Sequence, residues 1–132
     1  MKPTIIEKDL KCLVRKARRL GNSGHEVCGI LIDNGHYIDL LEVKNRARSL
    51  GRFVINHRQL DLIEVSAKAL KYKVAGTFHS HPASCAKPGE SDILGADNGS
   101  LMLIIDCIGN EAKLWRIKDN KARLVKFNLM GP

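Results

Sequence analysis

The chain has 132 residues, 44% of them hydrophobic and 27% charged, with a net charge of +8. That length suits one ordinary domain spanning residues 1–132, large enough to bury a core without disulfide staples. No apolar run approaches the roughly 20 residues a membrane-spanning helix needs, and the opening Met1-Lys2-Pro3-Thr4-Ile5-Ile6-Glu7 meets an acid before a signal-like stretch can form, so a cytoplasmic location is expected.

Thr4 to Ile6 reads as a short first strand. From Glu7 to Leu20, apolar residues at Leu10, Leu13, Val14, Ala17 and Leu20 mark one stripe of a helix, and Gly21-Asn22 is its expected stop. The same helix carries Lys8, Lys11, Arg15, Lys16, Arg18 and Arg19, followed later by Arg46, Arg48, Arg52 and Arg58. A basic surface of this kind can attract nucleic acid. The aromatic content of 5% supplies few stacking platforms, so we read the charge as a solvated helix face and regard nucleic acid as an unlikely partner.

Val27 to Ile32 suits a buried strand, and Asn34-Gly35 a hairpin turn returning through Tyr37 to Val43. Phe53-Val54-Ile55 reads as another strand. Asn56 caps a helix running to about Lys71, with Gln59 at the third helical position as in a capping box. Val74 to His79 is a strand, and His81 to Glu90 a loop. Ser91 to about Ala96 is a short helix. Three strands close the chain: Leu101 to Cys107, Lys113 to Ile117, and Arg123 to Phe127. Strands mixed with two long helices and an antiparallel finish predict an α/β or α+β domain with a mixed sheet.

None of the four cysteines, Cys12, Cys28, Cys85 and Cys107, forms a C-x-x-C pair, which argues against a zinc ribbon. Cys28 and Cys107 lie in apolar runs and read as core residues.

The segment Gly76-Thr77-Phe78-His79-Ser80-His81-Pro82, extended to Ser91-Asp92, carries the chemistry. Side chains alternate along a strand, so His79 and His81 project to one side. Asp92 follows eleven residues after His81, far enough for the loop to fold back. Two imidazoles and a carboxylate make three metal ligands and leave a fourth position for water, the pattern of a catalytic zinc site. These ligands also suit iron, cobalt or manganese. A metal-dependent hydrolase needs a base, and Glu26, in His25-Glu26-Val27-Cys28-Gly29, is the candidate. The segment is neither an H-E-x-x-H zincin motif nor part of a deaminase signature.

Glu26-Val27-Cys28-Gly29-Ile30-Leu31, then His79-Ser80-His81-Pro82, then Asp92, resembles the JAMM (MPN+) metalloprotease motif: a glutamate, a distant H-x-H-P, and an S-x-x-D beginning eight residues after the second histidine. The likeness extends to Asn45-Arg46-Ala47, Phe53 to Asn56, and the late Leu103-Ile104-Ile105-Asp106 and Leu114-Trp115-Arg116-Ile117 strands. It implies a JAMM/MPN-like fold, a cytidine-deaminase-like sandwich of a mixed β-sheet with flanking helices. It also implies one Zn2+ per chain on His79, His81 and Asp92, with Glu26 as catalytic base. The implied activity is hydrolysis of peptide or isopeptide bonds. Short stand-alone bacterial and archaeal members look like processors of ubiquitin-like or sulfur-carrier proteins, so such a protein is the expected partner.

One position departs from the motif. Gly89 stands where the family has the serine whose hydroxyl is taken to stabilise the oxyanion. A missing donor of this kind costs about 10²- to 10³-fold in rate, while glycine still serves as a helix N-cap. Ser84, Ser91 and Cys85 are possible accessory residues, although Ser91, if helical, points about 200° away from position 89. Ser80 faces the opposite side of its strand from the histidines. A non-catalytic module that binds a ubiquitin-like partner is the alternative reading.

Overall fold

The computed structural model describes residues 2–21, 23–47, 54–82 and 85–131. In chain order they form β1 (Thr4–Ile6), α1 (Glu7–Gly21), β2 (Cys28–Asp33), β3 (Ile38–Val43), α2 (His57–Ala69), β4 (Lys73–His81), α3 (Glu90–Gly95), β5 (Leu101–Asp106), β6 (Glu111–Lys118), β7 (Lys121–Val125) and β8 (Asn128–Met130). The strands make one mixed sheet in the order β7-β6-β5-β4-β2-β3-β1-β8. β4 runs parallel to β5, and β1 runs parallel to both β3 and β8. The other neighbours are antiparallel. This is the expected α+β architecture.

The period-2 alternation of the strands sorts the core onto two faces. Leu31, Phe78, Leu101, Leu103 and Ile105 turn to one face and pack under Leu10, Leu13 and Ala17 of α1. Cys28 and Ile30 turn to the other face with Leu60 and Ile63 of α2, as do Met102 and Ile104 with Ile93 of α3. α1 forms because its apolar stripe has this sheet face to cover, and Glu7, Asp9, Arg18 and Arg19 complement its dipole at the two ends. Its Lys8, Lys11, Arg15, Arg18 and Arg19 are exposed. Among the described residues no helix is long and apolar enough to cross a membrane.

Two glycines are demanded by close approach. A Cβ on Gly29 would lie 2.2 Å from the Phe78 ring, and one on Gly76 would lie 1.7 Å from the Leu101 carbonyl oxygen. Both are points where strands press together without room for a side chain.

Several expectations need correction. Val54 and Ile55 form no strand; they are tied to the preceding segment by Arg46 N–H donating to Val54 O and by Val54 N–H donating to Asn45 Oδ1. Phe53 and Asn22 lie outside the described residues. β4 continues to His81, because its parallel ladder with β5 persists to the pair His81–Asp106. The seventh strand ends at Val125, before the expected Phe127, and Asn128–Met130 adds an eighth strand that the sequence reading missed. β8 exists through its pairing with β1. Asn56 caps α2 as expected, accepting from the Arg58 and Gln59 amides.

Candidate metal centre

β4 is a central strand, and register places Cys28 of β2 and Ile104 of β5 on either side of His79. His79 and His81 share the α2/α3 face by alternation. Ser80 points into the opposite, α1 face and is fully buried. After β4 the chain leaves at Pro82 and returns to α3, which delivers Asp92. Two bonds fix this return. The Trp115 indole Nε1–H donates to Ala86 O at 2.8 Å, and the Gly89 amide donates to Asp92 Oδ2 at 2.8 Å.

The three side chains converge. His79 Nε2 and His81 Nε2 are 3.0 Å apart, and Asp92 Oδ2 lies 3.4 Å from the first and 3.5 Å from the second. Ligands about 2.1 Å from a tetrahedral centre lie about 3.4 Å from one another. The observed separations therefore match three corners of a zinc-sized tetrahedron, with one corner left over. Among the described residues, His79, His81 and Asp92 are the group whose donors can hold a metal ion.

In the metal-free cluster His79 suits a ligand as it stands, whereas His81 favours its protonated form beside Asp92, and a bound ion would displace that proton. Burial pushes the His79 pKa down, outweighing the Asp92 carboxylate, so its imidazole is neutral with a lone pair to give. His81 is also partly desolvated, but the Asp92 carboxylate, the Cys85 carbonyl and Glu26 outweigh that and raise its pKa. Burial would raise Asp92, yet hydrogen bonds from both imidazoles and the Gly89 amide hold it well below the usual carboxylate range. His81 Nδ1 is 2.9 Å from Cys85 O. An Nδ1–H donated to that carbonyl leaves the Nε2 lone pair aimed at the cluster, the usual way of orienting a metal-binding imidazole.

Glu26 precedes β2 by two residues and so falls on the same face as Cys28 and the histidines. Continuing the ladder beyond the pair Cys28–His79 brings it opposite His81. Only 7% exposed, it has its pKa pushed up to about 7 by burial, with His81 pulling down and Asp92 adding to the rise. A buried carboxylate poised near neutrality beside a metal-ligand cluster is equipped to accept and return protons.

The accessory candidates fare differently. Cys85 is exposed and serves through its carbonyl, and no described cysteine belongs to the donor cluster. Ser91 is exposed on α3, and Ser84 lies outside the described residues. Gly89 is the N-cap of α3 in an extended conformation (φ −78°, ψ 169°). The Cys85 carbonyl was invisible to the sequence reading, because a backbone acceptor leaves no mark on residue type. Cys28 and Cys107 are buried as expected, and burial raises the thiol pKa of both.

Three solved structures share the fold. One, a protein from Desulfitobacterium hafniense studied in solution, superposes with a TM-score of 0.80 at 23% identity, over 98% of this chain and 93% of that one. A JAB1/MPN domain protein from Archaeoglobus fulgidus gives 0.55 at 18% identity, over 98% and 99% of the two chains. A solution structure from Salinibacter ruber gives 0.59 at 16% identity, over 100% and 92%. No curated protein matches the chain. The family profile described as prokaryotic homologs of the JAB domain matches residues 8–118. That span contains Glu26, His79, His81 and Asp92 along with most of the sheet, and the chain belongs to this family of prokaryotic JAB-domain homologs.

Proposed function

We propose that the protein is a zinc-dependent peptidase or isopeptidase acting on the C-terminal tail of a ubiquitin-like or sulfur-carrier protein. The observation that carries this reading is the near-tetrahedral spacing of His79, His81 and Asp92 on the same strand face as a buried Glu26. Zinc bound there would supply Lewis acidity, acidifying a water molecule and polarising a scissile carbonyl. His79, His81 and Asp92 would hold the ion, and the hydrogen bond between His81 Nδ1 and the Cys85 carbonyl would leave Nε2 to ligate. Glu26 takes the proton of the attacking water and passes it to the leaving amine. The substrate tail lies extended beside the site.

A second reading has its own support. Gly89 brings no hydroxyl to the α3 N-terminus, which favours a module that binds a ubiquitin-like partner without cutting it.

The deciding experiment is metal content by mass spectrometry on the wild type and on His79→Ala and Asp92→Ala, followed by cleavage of ubiquitin-like proteins extended at their C-termini. About one zinc per wild-type chain, lost in both variants, with tail cleavage abolished in Glu26→Gln, is the expected result. A folded wild type that takes up no zinc when supplied with it overturns the peptidase reading. Zinc binding with partner capture and no cleavage selects the second.

A further inference from the structure

Glu26 stands outside the regular ladder of β2, whose first paired residue is Cys28. A residue just before a strand ordinarily has a loose backbone, and a glutamate adds side-chain freedom of its own. A proton carrier with that freedom would meet its substrate in few of its conformations.

The peptide group joining Glu26 to Val27 is gripped at both ends by side chains. Its carbonyl accepts from Asn45 Nδ2 at 3.0 Å. Its N–H donates to Ser80 Oγ at 2.8 Å. Ser80 is fully buried, and its own amide donates to Val27 O at 2.9 Å. The Ser80 hydroxyl thus takes the place in the ladder where a strand carbonyl would ordinarily accept. Asn45 is equally constrained, since its Oδ1 accepts from the Ala47 amide at 2.9 Å and the Val54 amide at 3.0 Å. A fixed peptide plane places the Glu26 Cα, the point from which its side chain reaches toward the site.

Ser80 also lies between His79 and His81. One strand therefore presents two imidazoles on one face and, from the residue between them, holds the backbone of the facing carboxylate on the other. We propose that Ser80 and Asn45 are positioning residues that clamp the Glu26–Val27 peptide and so set the distance from the Glu26 carboxylate to the metal centre. The inference rests on the metallopeptidase reading, in which Glu26 carries protons beside a bound ion. A merely structural Ser80 would satisfy the Val27 amide and leave the reach of Glu26 unaffected by its loss.

Paramagnetic relaxation separates these cases without relying on cleavage. The full chain is loaded with Co2+ and carries ¹³C-labelled glutamate and isoleucine, with Glu26 assigned by comparison with Glu26→Gln. Relaxation of the Glu26 side-chain carbons by the ion is compared in wild type, Ser80→Ala and Asn45→Asp. Ile104, the β5 neighbour of His79, serves as the control for the ligand frame. The expected result is unchanged Co2+ stoichiometry and unchanged Ile104 relaxation, with Glu26 relaxation reduced several-fold in both variants. Asn45→Asp keeps both acceptor bonds of position 45 and removes the donor to Glu26 O, so it carries the test if Ser80→Ala does not fold. Glu26 relaxation equal to wild type in a folded variant overturns the clamp and leaves the metal reading intact. A wild type that takes up no Co2+ overturns the metal reading, and the clamp with it.

Discussion

The two faces of the sheet are built on different principles. Under α1, thirteen buried residues form one continuous cluster, from Ile5 through Phe78 and Leu103 to Leu114. On the opposite face the apolar residues among those described fall into two smaller groups, one under α2 and one under α3. His79 sits between Cys28 of the first group and Ile104 of the second, so the candidate centre occupies the seam. A continuous apolar face stabilises the fold. A divided one leaves room for buried polar groups, provided that each finds partners. The site face supplies them through the Asp92 carboxylate, the Cys85 carbonyl and the Gly89 amide.

The comparison can be broken most sharply from the site side. Glu26→Gln should lower cleavage of an extended ubiquitin-like tail by about 10²- to 10⁴-fold, with zinc content equal to wild type. A parallel loss of zinc would show that Glu26 holds the site together rather than moving protons. From the other face, Leu103→Ala should destabilise the fold by about 2–5 kcal/mol in urea denaturation while leaving one zinc bound. Loss of metal in a folded Leu103→Ala protein would mean that the two faces are not independent.

The α3 N-terminus offers a gain instead of a loss. Position 89 has a backbone that any residue adopts, and among the described residues a Cβ there would meet only Asp92 Oδ2, at an ordinary 3.4 Å. Gly89→Ser should therefore leave zinc binding unchanged and raise cleavage by about 10²-fold or more, measured as kcat/KM on the same tail substrate. No gain would place oxyanion stabilisation elsewhere in the site.

A subtler test uses the strain of burying an acid. Burial raises the pKa of Glu26 from 4.5 to about 7. Between those values the folded protein keeps a proton that the unfolded chain has lost, so stability falls as pH rises through this window. Above pH 7 the whole penalty, of order 3 kcal/mol, is present. Metal-free Glu26→Gln should accordingly melt higher than metal-free wild type at pH 8 and alongside it near pH 4. Equal melting at pH 8 would show that the carboxylate is solvated. The smallest effect is expected at Cys85, which serves through its backbone: Cys85→Ser should change neither zinc content nor cleavage measurably.

How much was legible in the sequence depended on the range of the interaction. The period of α1 is carried by consecutive side chains, so its span was readable to within a residue. β8 has three exposed residues and exists because β1 lies beside it, which no local pattern announces. Val54 and Ile55 have strand-like residue types, yet one backbone bond and one side-chain bond to the Asn45-Arg46 segment replaced a ladder.

The sequence by itself determined that His79 and His81 share a strand face, because alternation is a property of the extended backbone. It also set the chain length available for returning Asp92 to them. Only the tertiary structure decided the rest. The antiparallel register of β2 on β4 brought Glu26 opposite His81. A backbone carbonyl at Cys85 oriented one imidazole. Ser80 and Asn45 closed on the peptide beside Glu26 from segments 53 and 19 positions away. The physical reason is common to all three: hydrogen bonds between distant segments depend on where the backbone passes, and residue type alone does not record that path.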